Sequence, residues 1–473
     1  MVEILQIETP TLGDRSYLAH DGEVAVVIDP QRDIDRVTAL AQRHGVRITH
    51  VAETHIHNDY VSGGLALSRE VGAAYLVGAA DPVSFRREPV RDGDATAIGP
   101  VMRLRAVATP GHTFNHLSYV LEAGGQVAGV FTGGSLLFGS TGRPDLLGPA
   151  STPALARAQH ASARRLAREL PDSAEIFPTH GFGSFCAATQ AQSTASTIGQ
   201  EKQVNPALTL DEQAYVEALL AGLDAYPSYY AHMGPANLAG PDGADLSPPR
   251  PAGAAEIRRR IESGEWVVDL RDRVAFCAGF VPGSVSFPVD GSFATYLGWV
   301  LPWGTPVTLL GQTPEQVARA QRELARIGID RLAAAAGPPE QWSDGRPLAR
   351  LRRATFGDLA AAAGRDGEPG GTGGEGGLVV LDVRRRLEWA DGHVAGAVHI
   401  PFSELPGRAG ELPPGEVWIY CQSGYRATVA ASILAARGRE VVSVDEDFGR
   451  AGPAGLRLES AGAASREAEA RHP

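Results

Sequence analysis

Cysteine is scarce in this chain: its 473 residues include only Cys186, Cys277 and Cys421. Three thiols cannot build the disulfide framework on which small secreted domains depend, so that class of protein is excluded. A reducing compartment, in contrast, keeps a reactive thiol free. Each cysteine is therefore a candidate for chemistry rather than for cross-linking.

Long apolar runs and an excess of positive charge are also lacking. No stretch is apolar over the roughly 20 residues that a membrane helix needs, and the first residues, Met1 to Ile4, lack the charged and apolar regions of a signal peptide. The formal net charge of −12 argues against nucleic-acid binding. We expect a cytoplasmic protein with neither a membrane nor a nucleic-acid partner.

Two histidines and a carboxylate follow the apolar run 46–52 at a spacing of two residues. They are His55, His57 and Asp59. In an extended segment, residues two apart face the same side. Both imidazoles can therefore point into one pocket, with Asp59 at its edge.

Two further histidines lie at the ends of predicted strands in the first 200 residues, which read as an α/β domain. The strand 102–108 is followed by His112, and the strand 175–178 is followed by His180. Imidazole nitrogens are common ligands of transition metals. The strand ends therefore predict a metal site on one face of this domain.

The segment 54–60 resembles the His-x-His-x-Asp-His signature of the metallo-β-lactamase superfamily. The resemblance implies an αββα sandwich and metal ligands at His55, His57, His112, Asp59 and His180. Two positions depart from the family pattern: the last signature histidine is Tyr60, and the bridging aspartate after Phe-Thr-Gly is Gly134. A two-metal hydrolase holds hydroxide between its ions, so the missing bridge disfavours one.

The arrangement is most similar to the persulfide dioxygenase branch, especially bacterial forms fused to rhodanese domains. Enzymes of that branch resemble non-haem iron oxygenases, in which two histidines and one carboxylate hold Fe(II). The histidines would be His55 and His112, and the carboxylate would fall at Gly134, which cannot supply one. Gly134→Asp is accordingly predicted to raise iron occupancy if the added side chain fits.

Three interpretations of the pocket stay open. His55, His57 and His112 could hold one metal with a water, which zinc accepts readily and iron sometimes does. Asp59 could instead complete a site of two histidines and one carboxylate. The pocket could also be structural and hold no metal. We favour one retained ion, Fe(II) over Zn(II).

A second candidate site begins at Cys421, which follows the apolar strand 416–420 and precedes a predicted helix over 427–437. A thiol at the positive end of a helix, ringed by backbone N–H groups, is stabilised as a thiolate or a persulfide. The loop resembles the active loop of rhodanese sulfurtransferases. That resemblance implies catalytic roles for Cys421 and Arg426 and a substrate cradle formed by Gln422, Ser423, Gly424 and Tyr425.

An internal repeat surrounds this loop. The segments 266–271 and 379–384 both read as a strand that ends in Asp-x-Arg, and both resemble the rhodanese pattern. After the strand 307–310 the first repeat has no cysteine, and without a thiol it cannot carry a persulfide. Cys277 and Cys186 each follow a phenylalanine and read as buried residues.

The predicted fold is a multidomain α/β protein: an αββα sandwich followed by two rhodanese-like doubly wound domains. We place the first domain at 1–203, a connector at 204–252, an inactive rhodanese-like domain at 253–345, an active one at 350–455 and a disordered tail at 456–473. A glycine-rich flexible insertion is expected at 364–377.

Together the motifs predict sulfur metabolism: oxidation of a thiol persulfide to sulfite, coupled to sulfur transfer through Cys421. The expected partners are glutathione or another small thiol, its persulfide, and thiosulfate or sulfite; homo-oligomer formation is compatible with the sequence. One alternative is a sulfurtransferase whose first domain is a degenerate, metal-free scaffold. A less favoured alternative is thioester hydrolysis of the glyoxalase II type.

Overall fold

The computed structural model describes residues 2–189, 193–366 and 377–460. They divide into two compact units: Met1–Leu246 with Arg322–Asp330, and Ser247–Gln321 with Arg331–Pro473. Most of the predicted insertion 364–377 and residues 461–473 of the predicted tail lie outside the described residues. No helix among the described residues is both long and apolar enough to cross a membrane.

In the first unit the described residues form eleven strands and seven helices. The strands are β1 (Glu3–Thr9), β2 (Asp14–His20), β3 (Val24–Ile28), β4 (Arg47–Ala52), β5 (Ala74–Gly78), β6 (Glu88–Val90), β7 (Ala95–Ile98), β8 (Met102–Ala108), β9 (Leu117–Ala123), β10 (Gln126–Gly133) and β11 (Ile176–Pro178). The helices are α1 (Asp35–His44), α2 (Gly64–Val71), α3 (Thr152–Glu169), α4 (Ile198–Val204), α5 (Pro206–Thr209), α6 (Glu212–Ala221) and α7 (Tyr230–Ala239). The predicted strands 46–52, 102–108 and 175–178 are confirmed as β4, β8 and β11.

Two mixed sheets pack face to face in this unit. One has the strand order β1-β2-β3-β4-β5-β6 and the other β11-β10-β9-β8-β7. Buried residues from both sheets, among them Tyr17, Ile28, Tyr119 and Phe131, form one apolar core. A second cluster packs α3 and α6 on the outer face of one sheet, and a third packs α1 and α2 on the other. The layers are those of the predicted αββα sandwich.

In the part of the second unit that the structure describes there are twelve strands and a further set of helices. The strands are β12 (Arg250–Pro251), β13 (Trp266–Asp269), β14 (Val285–Ser286), β15 (Val307–Gly311), β16 (Leu332–Ala336), β17 (Arg352–Ala354), β18 (Val379–Asp382), β19 (His393–Val394), β20 (Val398–His399), β21 (Val417–Tyr420), β22 (Val441–Val444) and β23 (Leu458–Glu459). The helices are α8 (Ala254–Glu262), α9 (Arg273–Ala278), α10 (Phe293–Val300), α11 (Pro314–Arg326), α12 (Pro339–Trp342), α13 (Phe356–Asp366), α14 (Arg386–Asp391), α15 (Leu405–Arg408) and α16 (Tyr425–Ala435). The boundary between the two units falls inside α11.

Two parallel five-stranded sheets organise the second unit. The first has the order β12-β16-β15-β13-β14 and the second β17-β22-β21-β18-β20, so the same strand positions recur in both. We call these halves the first and second α/β repeats. A short sheet of β19 and β23 lies beside them, so residues 458–459 of the predicted tail form a strand.

Candidate functional site

The histidine triad consists of His55, His112 and His180, which enter the site from the ends of β4, β8 and β11. Each is at most 2% exposed. One ring nitrogen from each lies within 4.8 Å of the others, and the Nε2 atoms of His55 and His180 are 3.3 Å apart. Two ligands of a tetrahedral ion are about 3.3 Å apart when each metal–nitrogen bond is about 2.0 Å. The triad therefore has the spacing of a metal site.

Each ring of the triad is held through its other nitrogen. Nδ1 of His112 lies 2.9 Å from the carbonyl oxygen of Arg143, Nδ1 of His55 lies 2.8 Å from Thr54 Oγ1, and Nδ1 of His180 lies 2.9 Å from an oxygen of Asp14. Such contacts fix the tautomer and aim Nε2 at a metal. Nε2 of His112 is buried with no hydrogen-bond partner among the described residues, as expected of a ligand atom.

His57 is differently placed from the triad. Its Nε2 lies 3.1 Å from Glu53 Oε2, 3.3 Å from Asp29 Oδ1 and 3.0 Å from the Tyr60 hydroxyl. Burial would lower the pKa of His57, but Asp29 and Glu53 outweigh burial and raise it to about 9. Among the described residues, His57 shares one group of potential metal ligands with Asp29 and His55 and another with Asp59 and His180, whereas His55 and His112 are grouped with His180.

Asp59 lies beside the triad and faces His180. Its Oδ2 is 3.2 Å from His180 Nδ1, and its Oδ1 is buried without a hydrogen-bond partner in the described part of the chain. Burial opposes a charge on His180, yet Asp59 and Asp14 raise its pKa to about 10. A more basic imidazole is a stronger metal donor once Nε2 is free of its proton. Asp59 can also join His57 and His180 as a second group of ligands.

Gly134 leaves no room for the carboxylate that the superfamily places there. A Cβ atom on Gly134 would lie 2.3 Å from Cδ2 of His112 and 2.6 Å from its Cγ. The prediction for Gly134→Asp requires a fit without displacement of nearby backbone, and the atoms that an added side chain would meet first belong to the imidazole of His112, so this ring would have to move. In this chain the imidazole of His112 occupies the space of the missing side chain.

Three residues that the sequence did not single out shape this site. Asp29 is fully buried, has a φ of 51°, and accepts hydrogen bonds at 2.7 Å from both the backbone N–H and the hydroxyl of Thr54. Asn237 of α7 donates to the carbonyl oxygens of His57 and Tyr60 at 2.9 Å. Asp14 orients His180. All three residues are distant from the histidines in sequence and come close to them only in the folded chain, so no local sequence pattern marked them.

The candidate sulfur-transfer loop spans residues 421–426, which connect β21 to α16 and include the first two residues of that helix. Cys421 is 1% exposed, and its Sγ accepts a hydrogen bond of 3.4 Å from the backbone N–H of Ala427 in the first turn of α16. Gly424 has a φ of 88°, a conformation that favours glycine. The predicted setting of a thiol at a helix N-terminus is therefore present.

Arg426 lies in the loop, but its charge is paired. Its two terminal nitrogens each donate to the carboxylate of Glu388 at 2.7 Å. Burial disfavours the charge of Glu388, yet Arg426 outweighs burial and lowers its pKa to about 2. The charge of Arg426, a predicted catalytic residue, is thus neutralised by Glu388, a carboxylate that the sequence did not connect with it.

Asp445 supports the loop from β22. A Cβ atom on Gly424 would collide with Oδ1 of Asp445, so the two residues are in close contact. Asp445 is 3% exposed and accepts a hydrogen bond of 2.6 Å from Arg273 of the first repeat and one of 2.8 Å from Arg353. The backbone N–H of Phe448 also donates to the carbonyl oxygen of Gln422 at 2.9 Å. The acidic segment after β22 therefore lies against the loop.

The two other cysteines are buried, as predicted. Burial raises the pKa of the Cys277 thiol to about 12. Burial, with the neighbouring charge of Asp59, also raises the pKa of Cys186 well above its usual value. Among the three, Cys421 alone follows the last strand residue of a parallel sheet and precedes a helix.

Comparison with known proteins identifies two domains in this chain. Residues 12–180 match the model of the metallo-beta-lactamase superfamily, and residues 372–449 match that of the rhodanese-like domain. Persulfide dioxygenase ETHE1, mitochondrial, of Homo sapiens is 29% identical over 213 residues, which are 45% of this chain and 75% of that protein. A hydroxyacylglutathione hydrolase of Cupriavidus taiwanensis is 30% identical over 229 residues, 43% of this chain and 86% of that protein.

A solved structure covers more of the chain. The metallo-beta-lactamase from Staphylococcus aureus subsp. aureus COL has a TM-score of 0.63 and 29% identity, over 71% of this chain and 99% of its own. The buried histidines and Asp59 are consistent with a metal site of the superfamily. The chain belongs to the metallo-beta-lactamase superfamily and carries, after that domain, a rhodanese-like domain that contains Cys421.

Proposed function

We propose that this protein oxidises the persulfide of a small thiol in its first unit and transfers sulfane sulfur through Cys421 in its second. The observation that carries the first half is the triad of His55, His112 and His180, in which one ring nitrogen of each histidine lies within 4.8 Å of the others while each Nδ1 has its own contact. The similarity to a human persulfide dioxygenase supports the choice of substrate.

The first reaction consumes one persulfide, one O₂ and one water, and yields the thiol, sulfite and two protons. The sulfane sulfur is oxidised, O₂ is reduced, and the sulfur–sulfur bond breaks. A bound metal ion, for which we favour Fe(II), would supply the open positions for O₂ and sulfur. The chain's own contribution is the rigid triad: Thr54, Asp14 and the Arg143 carbonyl hold its rings in place.

The second reaction uses Cys421 as the nucleophile. Its thiolate attacks the sulfane sulfur of thiosulfate, the sulfur–sulfur bond of thiosulfate breaks, and sulfite leaves as a persulfide forms on Cys421. The N–H of Ala427, which already points at Sγ, stabilises the negative sulfur. The reverse direction, from Cys421 to a thiol or sulfite, uses the same contacts.

Thioester hydrolysis is the rival for the first unit, since hydroxyacylglutathione hydrolases are relatives at 30% identity. Against it stand Tyr60, where the signature has histidine, and Gly134, where the ring of His112 fills the space of the bridging carboxylate. A sulfurtransferase with a metal-free first domain is the remaining alternative. It requires that the buried and unpartnered Nε2 of His112 have no ligand.

Metal analysis combined with an oxygen electrode separates these functions. We expect about one equivalent of iron and O₂ uptake that depends on glutathione persulfide. His112→Ala should lose both the metal and the uptake, whereas His50→Ala, a change outside the triad, should retain both. Zinc with hydrolysis of a glutathione thioester would favour the rival, and no metal in wild-type protein would favour the scaffold.

A further inference from the structure

Glu3, His20 and His44 form a second cluster of potential metal ligands in the first unit, which shares no residue with the histidine triad. One ligand atom from each lies within 4.8 Å of the other two. No motif marks this cluster, because its members are separated by up to 41 positions in the chain, counting from residue 3 to residue 44. Only folding brings them together.

Three different elements position these side chains. Glu3 is the first residue of β1 and lies directly opposite His20, the last residue of β2, in an antiparallel register. Directly opposite residues in such a pair place their side chains on the same face of the sheet. His44 is the last residue of α1, which Gly45 ends with a φ of 67°. The cluster thus joins the end of a hairpin to the end of a helix.

The distances suit a divalent ion. His20 Nε2 is 3.5 Å from Glu3 Oε2, close to the ~3.4 Å edge of a tetrahedron with metal–ligand bonds of about 2.1 Å. The rings of His20 and His44 have centroids 5.3 Å apart at an interplanar angle of 55°, so they do not stack face to face. Two imidazoles and a carboxylate form a donor set that zinc commonly uses.

His20 gives an independent sign that a ligand belongs here. The residue is 6% exposed, yet neither ring nitrogen makes a hydrogen bond within the part of the chain that the structure describes. Buried polar groups are normally hydrogen-bonded, so this exception points to a ligand for the imidazole of His20.

The C-terminal end of α1 also favours a cation at this cluster. The last carbonyl groups of a helix carry a partial negative charge, which favours a cation close to the C-terminus. The nearby Asp21 does not compete for the ion in the same way, since its Oδ1 accepts hydrogen bonds from the backbone of Glu23 and Val24 at 3.0 Å.

We propose that Glu3, His20 and His44 bind one Zn²⁺ ion, with water at the fourth position, and that this ion ties the end of α1 to β1 and β2. The site is structural: it cross-links three elements and is independent of the activity proposed for the triad. Zinc should therefore raise the thermal unfolding temperature, because it binds the folded chain and not the unfolded one.

Equilibrium dialysis of the metal-stripped full chain against micromolar ZnCl₂ tests the site. His44→Ala should bind one equivalent less than wild type and should lose that part of the zinc-dependent rise in unfolding temperature. Arg43→Ala, an exposed neighbour outside the cluster, is the matched control and should bind as wild type does. Glu3→Gln should behave like His44→Ala.

Anomalous diffraction at the zinc edge gives a readout that does not depend on stoichiometry. A peak enclosed by Glu3, His20 and His44 in wild-type crystals, absent in His44→Ala, is the expected result. Equal zinc binding by wild type and His44→Ala would overturn the proposal. So would the loss of one equivalent in Arg43→Ala as well, because that would reflect a disturbed helix end rather than a lost ligand.

Discussion

In the first α/β repeat the central strand β15 ends at Gly311 and is followed by Gln312, whereas in the second repeat β21 ends at Tyr420 and is followed by Cys421. Around this difference the two repeats match closely. Their sheets have corresponding strand orders, and every pair of neighbouring strands in both is parallel.

The match extends to a buried ion pair. Arg271 donates to Asp269 at 2.6 Å and to the carbonyl oxygen of Gly279 at 2.7 Å. In the second repeat Arg384 donates to Asp382 at 2.7 Å and to the carbonyl oxygen of Gly392. The Asp-x-Arg motif is thus retained where no nucleophile exists. The motif joins the end of a strand to the turn that follows. The proposed sulfur transfer depends instead on the separate loop that contains Cys421.

The first repeat nevertheless contributes to the loop of the second. Arg273 binds Asp445, which touches Gly424, and the rings of Tyr296 and Tyr425 have centroids 5.5 Å apart. A repeat without a nucleophile can therefore support the repeat that has one. Substitutions in both repeats test this comparison, beginning with the largest expected effect.

Cys421→Ser should abolish sulfur transfer from thiosulfate, because serine cannot hold a persulfide. Cys277→Ser, the matched change in the first repeat, should leave the rate nearly unchanged. Intact-protein mass spectrometry after exposure to a sulfur donor should show one added sulfur on wild type and none on Cys421→Ser. Sulfur loaded equally on Cys277 or Cys186 would show that the nucleophile is not confined to the second repeat.

Asp382→Asn and Asp269→Asn should each lower the free energy of unfolding by about 3 kcal/mol, since each leaves a buried arginine without its counter-ion. Asp382 and Asp269 are both fully buried, and their arginines are 2% and 4% exposed. Urea unfolding of both variants measures the effect. A much smaller loss of unfolding free energy in one repeat than in the other would show that the two ion pairs are not structurally equivalent.

Glu388→Gln should leave the positive charge of Arg426 without its counter-ion. The rate at which a reagent alkylates Cys421 should then depend on the charge of that reagent. Negatively charged iodoacetate should alkylate Cys421 several-fold faster in the variant, while neutral iodoacetamide should react at a similar rate, because only the anion responds to the added charge. An unchanged ratio of the two rates would show that Arg426 does not act on Cys421 electrostatically.

The same pair predicts a pH dependence of stability. The pKa of Glu388 falls from its ordinary value of 4.5 to about 2 in the folded chain. The stabilisation by the ion pair is therefore complete above about pH 4.5 and disappears as the pH falls towards 2. Acid unfolding of wild type and Glu388→Gln should converge across this window, and parallel curves would contradict the assignment.

Arg273→Ala should have the smallest effect, a threefold to tenfold loss in kcat/KM with thiosulfate, since roughly 0.7–1.4 kcal/mol of support for Asp445 is removed. Arg273→Lys should restore part of the loss. Alkylation of Cys421 by iodoacetamide should still proceed, which distinguishes a displaced loop from an unfolded domain. Wild-type kinetics in Arg273→Ala would show that the first repeat does not support the loop.

Much of the fold could be predicted from the sequence because local residue patterns determine where strands and helices form. Strands such as β4 and β8 are apolar runs bounded by turn residues, and both appear within a residue of their predicted ends. Cys421 could be identified for the same reason, since strand, loop and helix are contiguous there. The family resemblance implied all five metal ligands, but it left open which of them share one ion.

The sequence alone determined the types of element, the repeat of Asp269 and Asp382, and the presence of the histidines and Cys421. Only the tertiary structure decided that His180 joins His55 and His112, that His112 fills the space at Gly134, and that Glu388 neutralises Arg426. The reason is physical: hydrophobic periodicity and backbone preference act over a few neighbouring residues, whereas a buried charge or imidazole takes its partner from whatever element packs against it.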